Sequence, residues 1–230
     1  MEKPACTIYA KARQEDGACA PSSQPDWAQE EFGFDHIAEN IFSPIYPVIA
    51  ADILDIAPQA GGIMIDIGCG GGHLGMALME RTEHKGYFVD INQAALKLAK
   101  ARAQARGLLE RSVFLLEDVH RMSFENNFAD LIVSRGSYTF WADLAAALVE
   151  IHRILAPGGL AYIGGGMGNR QLRDSIQKKM QSVMPGWPSQ VMQRSSRITN
   201  QWIHSTLETN GIAHEILDNE EQGRWILLYK

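Results

Sequence analysis

From Gly62 to Gly164, short apolar runs alternate with stretches of helical periodicity, and that alternation names the fold class. Gly62 to Ile67, Gly86 to Asp90, Ser112 to Leu116, Ala129 to Ser134 and Leu160 to Gly164 are continuously apolar instead of alternating with polar residues. Runs of this kind are strands covered on both faces. Between them, Leu74 to Arg81, Gln93 to Arg106 and Trp141 to Leu155 repeat apolar residues at threes and fours, which predicts helices. Strands separated by helices pair in parallel, so the expected fold is α/β, a doubly wound sheet in a single domain.

The flanks differ. Residues 1–25 show neither period and run into Ala-Pro-Ser-Ser-Gln-Pro, which reads as a flexible N-terminal tail. Residues 26–60 read as two opening helices. Trp27, Phe34, Ile37, Ala38, Ile41 and Phe42 recur at helical spacing from Asp26 onward. Ser43-Pro44 then predicts a second start, carried by Ile45, Val48, Ile49, Ile53 and Ile56 and closed by Pro58. After the fifth strand, Asn169 to Met184 is an amphipathic helix that Pro185-Gly186-Trp187-Pro188 breaks, and another runs from Thr199 to Asn210-Gly211. Residues 168–207 are expected to form a cap insertion. Ile212 to Leu217 and Arg224 to Tyr229 read as an antiparallel pair.

Composition narrows the functional classes. With 46% apolar and 21% charged residues the chain is globular, and a net charge of −6 gives it no long-range attraction for nucleic acid or an anionic bilayer. Neither partner is expected. Three cysteines are too few for a disulfide framework, and Cys6 and Cys19 stand thirteen apart without metal-ligand spacing, so no metal is expected. No signal-peptide core and no 18-residue apolar run occurs, which makes the expected location cytoplasmic. Charge is uneven: from Gly168 to Leu207, Arg170, Arg173, Lys178, Lys179, Arg194 and Arg197 face a single acid, Asp174. That segment either steers an anionic substrate or is a solvated helix face.

The segment with the most chemistry is Asp66-Ile67-Gly68-Cys69-Gly70-Gly71-Gly72-His73-Leu74-Gly75, where a strand ends and a helix begins. Glycines there let the main chain turn sharply and approach a ligand closely, with the free N–H groups of the helix start facing it. A carboxylate at Asp66 repels a pyrophosphate but accepts hydrogen bonds, directly or through water, from an ammonium group. Asp90 ends the second strand 20 residues past Gly70, where a carboxylate accepts bonds from both ribose hydroxyls. Asp118, after the third strand, is placed to accept from an adenine amino group, with Ile91 and Val119 as apolar flanks; a turn former is its other reading. His73, in the first helical turn, reads as a hydrogen-bond donor to cofactor or main chain in preference to a base.

Asp66 to Gly72, Asp90, Asp118 and Leu155-Ala156-Pro157-Gly158-Gly159 together resemble the class I S-adenosylmethionine-dependent methyltransferases of small-molecule type, over roughly Trp27 to Lys230. The resemblance implies seven strands, mostly parallel with the last antiparallel, and S-adenosyl-L-methionine as cofactor. It implies that Gly68 and Gly70 cradle the methionine part, with His73 and Leu74 beside them. Asp90 then holds the ribose, Asp118 and Val119 frame the adenine, and Ser134 lies by the methionine amino group. Trp27 to Asp35 looks like a short aromatic helix covering the cofactor. After the fourth strand Ser134-Arg135-Gly136-Ser137-Tyr138 stands in place of an Asn/Asp-Pro-Pro-Tyr/Phe motif, which disfavours nucleic-acid bases and glutamine as acceptors.

The expected partner is therefore a small-molecule acceptor, with an anionic one suggested by Arg135, which is placed to pair with a carboxylate or phosphate. Tyr138, Trp141 and Trp27 are candidate pocket walls. The arginine's other reading is to satisfy backbone carbonyls, and the tryptophans' is core packing. The sulfonium donor is already activated, so no catalytic residue is assigned. Two other functions share the motifs. A dinucleotide-dependent oxidoreductase reads Gly70 to Gly75 as G-x-G-x-x-G with Asp90 on the ribose, and a non-catalytic S-adenosylmethionine-binding regulator keeps the fold without the chemistry.

Overall fold

A computed structural model describes residues 33–57 and 61–230. Seven strands, β1 (Gly61–Ile67), β2 (Glu83–Asp90), β3 (Ser112–Leu116), β4 (Ala129–Arg135), β5 (Leu155–Gly164), β6 (Ala213–Asn219) and β7 (Gly223–Tyr229), lie in the order β3-β2-β1-β4-β5-β7-β6. Only β7 runs antiparallel to its neighbours, β5 and β6; the other pairings are parallel. Among the described residues, eight α-helices surround the sheet: α1 (Phe34–Asn40), α2 (Tyr46–Ile56), α3 (His73–Met79), α4 (Gln93–Ala105), α5 (Leu144–Ile154), α6 (Arg170–Val183), α7 (Trp187–Ser195) and α8 (Asn200–Thr209). No single described helix is long and apolar enough to cross a membrane.

The strands are apolar throughout because both faces are covered. Met64, Phe88, Leu131, Val133, Tyr162, Trp225 and Leu227 join one core with side chains of α1 to α4 and α6. Their neighbours Ile65, Val89, Ile132, Ala161, Ile163, Ile226 and Leu228 join a second with α5 and α8. Successive strand side chains point to opposite faces, so a two-sided sheet needs apolar residues at every position.

Several boundaries shift for local reasons. The first described helix begins at Phe34; Asp26, Trp27, the expected tail at 1–25 with its two cysteines, and Pro58 lie outside the described residues. Ser43-Pro44 starts a 3-10 turn, Ser43–Ile45, that runs straight into α2 without a side-chain cap. α5 starts at Leu144 and not at Trp141, because Tyr138–Phe140 forms a 3-10 turn, Trp141 is extended, and the Asp143 side chain accepts the Ala146 N–H at 2.9 Å. Beyond Pro185 the chain resumes as α7, which the expected break missed. A proline in a first helical turn sacrifices no bonded N–H, so Pro188 permits this helix.

Two expected features acquire other roles. α8 buries Ile203 and Leu207 in the α5 layer, so the part of 168–207 able to overhang the sheet ends before Asn200. Pro157-Gly158-Gly159 lies within β5, where the β4 register shifts, at the opposite end of the sheet from the glycine turn. Gly158, at φ +79°, donates to the Lys230 carbonyl at 2.6 Å and so ties down the C-terminus.

Trp225 is the keystone of the antiparallel edge. Its ring packs 4.5 Å from that of Tyr162, and a Cβ on Gly164 or Gly166 would stand only 2.3 or 2.6 Å from indole atoms. Trp225→Ala should therefore cost about 3 to 5 kcal/mol, the range for deleting a buried large aromatic, with urea denaturation followed by circular dichroism as the measurement.

Candidate functional site

Strand order reverses at β1, which lies between β2 and β4, so the chain leaves β1 for α3 on one face and β4 for α5 on the other. A crevice at the carboxyl ends of strands is where open α/β sheets take ligands. The glycine turn lies there. Gly68 and Gly70 adopt φ of +62° and +52°, which side-chain-bearing residues rarely adopt, and a Cβ on Gly68 would meet Ser137 Cβ at 2.5 Å.

The 20-residue spacing from Gly70 to Asp90 is a direct bond. The Gly70 N–H donates to Asp90 Oδ2 at 2.8 Å, and the Asn92 N–H donates to Oδ1 at 2.9 Å. Burial pushes the Asp90 carboxyl up from its ordinary value, against the pull of those N–H bonds. Each oxygen keeps lone-pair capacity for a further donor. Ile91 beside it is 70% exposed, an apolar surface at the tip of β2, and Leu116 at the tip of β3 is 53% exposed.

Asp66 lies deeper. It is buried behind the turn, where Oδ2 accepts the Gly75 N–H at 3.0 Å and anchors the start of α3. Burial pushes its carboxyl up to about 7, with a smaller upward contribution from the Asp90 charge. Leu74 is buried in the core on that side.

Helix α1 is fastened over the turn by a charged cluster. Asp35 reaches His73 Nε2 at 3.3 Å and Arg102 Nη2 at 3.0 Å, while Glu39 lies 2.9 Å from Arg102 Nη2 and 3.6 Å from His73 Nδ1. Arg102 also donates to the Gly71 carbonyl, so one guanidinium holds both α1 and the turn. The bond from His73 is the foremost cause that holds the Asp35 carboxyl down to about 2, against burial and with help from Arg102. His73 stacks on Tyr46 at 5.0 Å with both ring nitrogens facing carboxylates. Its partners are side-chain carboxylates of α1 and not the main chain that the sequence suggested.

At the third strand, Asp118 remains half open. Burial lifts its carboxyl, but bonds from the His120 main chain and ring outweigh that and hold it below its ordinary value. The far nitrogen of that ring, Nε2, accepts the Asp143 N–H at 3.0 Å, so His120 links Asp118 to the cap of α5. Val119 is buried in the α5 core.

Beyond β4, Ser134 is fully buried, its hydroxyl 2.6 Å from that of Ser137, which donates to the Ile67 carbonyl at 3.3 Å. Arg135 extends over the Phe42 ring, 4.6 Å from its centroid, with Nε donating to the Gly166 carbonyl at 3.3 Å. Tyr138 is buried in the α5 core and Trp141 packs partly buried against it, so both are set into the wall and do not stand open. Trp27 lies outside the described residues. Of the six cations from Gly168 to Leu207, Arg170 pairs with Glu220 and Glu221 at 2.7 and 2.9 Å, Arg173 with Asp174 at 3.2 Å, and Arg194 covers the Phe140 ring. Two of the six are therefore paired with acids.

Sequence reasoning missed Asp35, Glu39, Arg102, Ser137 and Tyr46. Asp35 and Arg102 stand 67 residues apart, and no local spacing joins them. Ser137 was visible only as a departure from a motif.

The Methyltransferase domain family is matched over residues 65–163. A solved S-adenosyl-L-methionine-dependent methyltransferase from Methanococcus maripaludis superposes with a TM-score of 0.81 at 38% identity, covering 85% of this chain and 90% of that one. The human protein Arginine-hydroxylase NDUFAF5, mitochondrial, is 34% identical over 160 residues, covering 67% of this chain and 43% of its own. The chain thus spans less than half the length of that relative. Geranyl diphosphate C-methyltransferase from Streptomyces coelicolor, solved with S-adenosyl-L-homocysteine, shares the fold at TM-score 0.59 and 16% identity, covering 78% of this chain and 76% of that one.

Asp66 generates a pH prediction. With a folded value of about 7 against an ordinary 3.8, the folded state holds the proton more tightly, so this contribution to stability is complete below about pH 4 and is lost as pH rises through 7. Asp66→Asn, which keeps an acceptor for Gly75, should therefore show a smaller fall in Tm from pH 5 to pH 8 than the wild type does. Calorimetric scans across that range are the measurement, and parallel curves would contradict it.

Proposed function

The chain belongs to the class I S-adenosylmethionine-dependent methyltransferases, and from that premise we propose that it methylates a small anionic acceptor in a reducing, cytoplasmic setting. When bound, S-adenosyl-L-methionine supplies a methyl group on a cationic sulfur, which an acceptor lone pair displaces in line while the carbon–sulfur electron pair stays on sulfur. The observation that carries the reading is the left-handed turn at the end of β1, with Gly70 donating directly to Asp90 at the end of β2.

The residues present fit such a cofactor. Asp90 retains lone pairs for the ribose hydroxyls, and Ile91 offers an exposed apolar flank beside it. Asp118, oriented by His120, is the acceptor for an exocyclic amino group, and buried Val119 backs that end of the site. Gly68 and Gly70 give the methionine part a backbone cradle without side chains, with Ser134 at the adjoining strand end. Asp66, lifted to about 7 by burial behind the cradle, gives up its proton most readily beside an ammonium group, which it therefore favours over a pyrophosphate. No side chain is assigned as a base, since His73 is already held by two carboxylates. Alignment and exclusion of water are then the main contributions, up to roughly 7 to 11 kcal/mol.

Calorimetry tests the cofactor directly. S-adenosylhomocysteine should bind and NAD should not, and Asp90→Ala should weaken the former by about 1.5 to 3 kcal/mol, the range for hydrogen bonds to a charged group. NAD binding in preference would transfer the chain to the oxidoreductases.

The clamp on α1 gives a second test. Arg102→Met should raise hydrogen exchange across Phe34–Asn40 by about tenfold, about 1.4 kcal/mol of opening free energy, and should weaken S-adenosylhomocysteine in parallel. Unchanged exchange would show that α1 is held by its apolar face alone.

A further inference from the structure

Arg135 is a largely buried guanidinium that no carboxylate accompanies. Among the described residues no Asp or Glu lies within ion-pair distance of it; its neighbours are the Gly166 carbonyl, the Phe42 ring and the Tyr46 hydroxyl. A buried cation without a counter-ion is costly, and a ring face with one carbonyl offsets only part of that cost. In the same layer Arg102 has Asp35 and Glu39 and Arg106 has Glu80, whereas Arg111 is held by three backbone carbonyls, of Met79, Thr82 and His84, against the single one that Arg135 meets. The side chain also leaves the carboxyl end of β4, across the strand reversal from the glycine turn, where a ligand belongs.

We propose that Arg135, walled by Phe42 and Tyr46, anchors the carboxylate of the methyl acceptor, which makes the acceptor class a monocarboxylic acid with an apolar body. With Nε on the Gly166 carbonyl and the Tyr46 hydroxyl accepting a second bond, N–H groups of the five-donor guanidinium still remain to meet a carboxylate. One cation balances one negative charge. A phosphate dianion would leave the excess near Asp66, Asp35 and Glu39, which disfavours it. The body of the acid is met by rings: Phe42 lies 6.0 Å from Trp187 at the start of α7, and Tyr46 stacks on His73. Tyr46 therefore backs the acid site on one side and the clamp of α1 on the other, which brings the acceptor beside the glycine turn. Burial pushes the Tyr46 hydroxyl up to about 12, so it stays neutral, accepts from Arg135 and keeps its own proton for a ligand.

This assignment rests on the methyltransferase reading, and the test separates the two. Benzoate is titrated against its uncharged isostere benzamide, using protein saturated with S-adenosylhomocysteine and monitored by saturation-transfer NMR and calorimetry. Benzoate should bind at least tenfold more tightly than benzamide, and Arg135→Met should reduce that preference to within twofold. Methionine keeps the packing volume without the charge, and the wild-type preference needs no variant. Equal binding of the two probes, or a preference that survives in Arg135→Met, overturns the proposal. S-adenosylhomocysteine is also compared with 5′-methylthioadenosine, which lacks the carboxylate. If Arg135→Met weakens only the former, the arginine serves the cofactor's own acid and the acceptor assignment falls. Failure of S-adenosylhomocysteine to bind the wild type removes the methyltransferase reading instead.

Discussion

The turn from β1 into α3 admits no side chain at Gly68, Gly71 or Gly72, and the arrangement around the site follows from that. A Cβ on Gly68 would press on Ser137 at 2.5 Å, and one on Gly71 would lie 2.0 Å from Asp35 and 2.2 Å from Arg102. The turn is thus closed in by the loop after β4 on one side and by the charged contacts of α1 and α4 on the other. Its free N–H groups are directed by this confinement. Gly70 donates to Asp90, and the carbonyl of Gly71 is taken by Arg102. Strands β1, β2 and β4 and helices α1, α3 and α4 are brought into register at one point.

Three carboxylates around that point behave differently because their surroundings differ. Asp35 has a histidine and an arginine and is held down to about 2, a structural anion that fastens a helix. Asp66 has one backbone N–H and no cation, and burial lifts it to about 7, so its charge is available to change when a cationic ligand approaches. Asp90, between them, is lifted by burial but bonded by two backbone N–H groups, which fixes its orientation. Partner and depth, more than residue type, decide which of them clamps, which responds and which binds.

The opening helices link the cofactor side to the acceptor side. His73 is both a member of the α1 clamp and the stacking partner of Tyr46, and Tyr46 stands beside Arg135. A displacement of α1 would therefore be felt at both ends of the crevice through side chains in direct contact, without requiring any movement of the sheet.

The sheet, its parallel order and the glycine turn at the carboxyl end of β1 were legible in the amino-acid sequence, because a strand covered on both faces must be apolar at every position and a sharp βα turn must be glycine-rich. That Asp90 stands beside the glycine turn was legible too, since adjacent parallel strands place those ends side by side, but its bond from Gly70 was not. Even the antiparallel tail could be read from its two apolar runs. What only the tertiary structure decided were the contacts between distant segments. Asp35 and Arg102 are 67 residues apart, so neither predicts the other, and the burial of Asp66 depends on a helix that the local pattern could place only approximately. The same holds for Arg135, whose meaning lies in the absence of an acidic partner among its described neighbours. Sequence displays the charges a chain carries, but which of them meet is decided by packing.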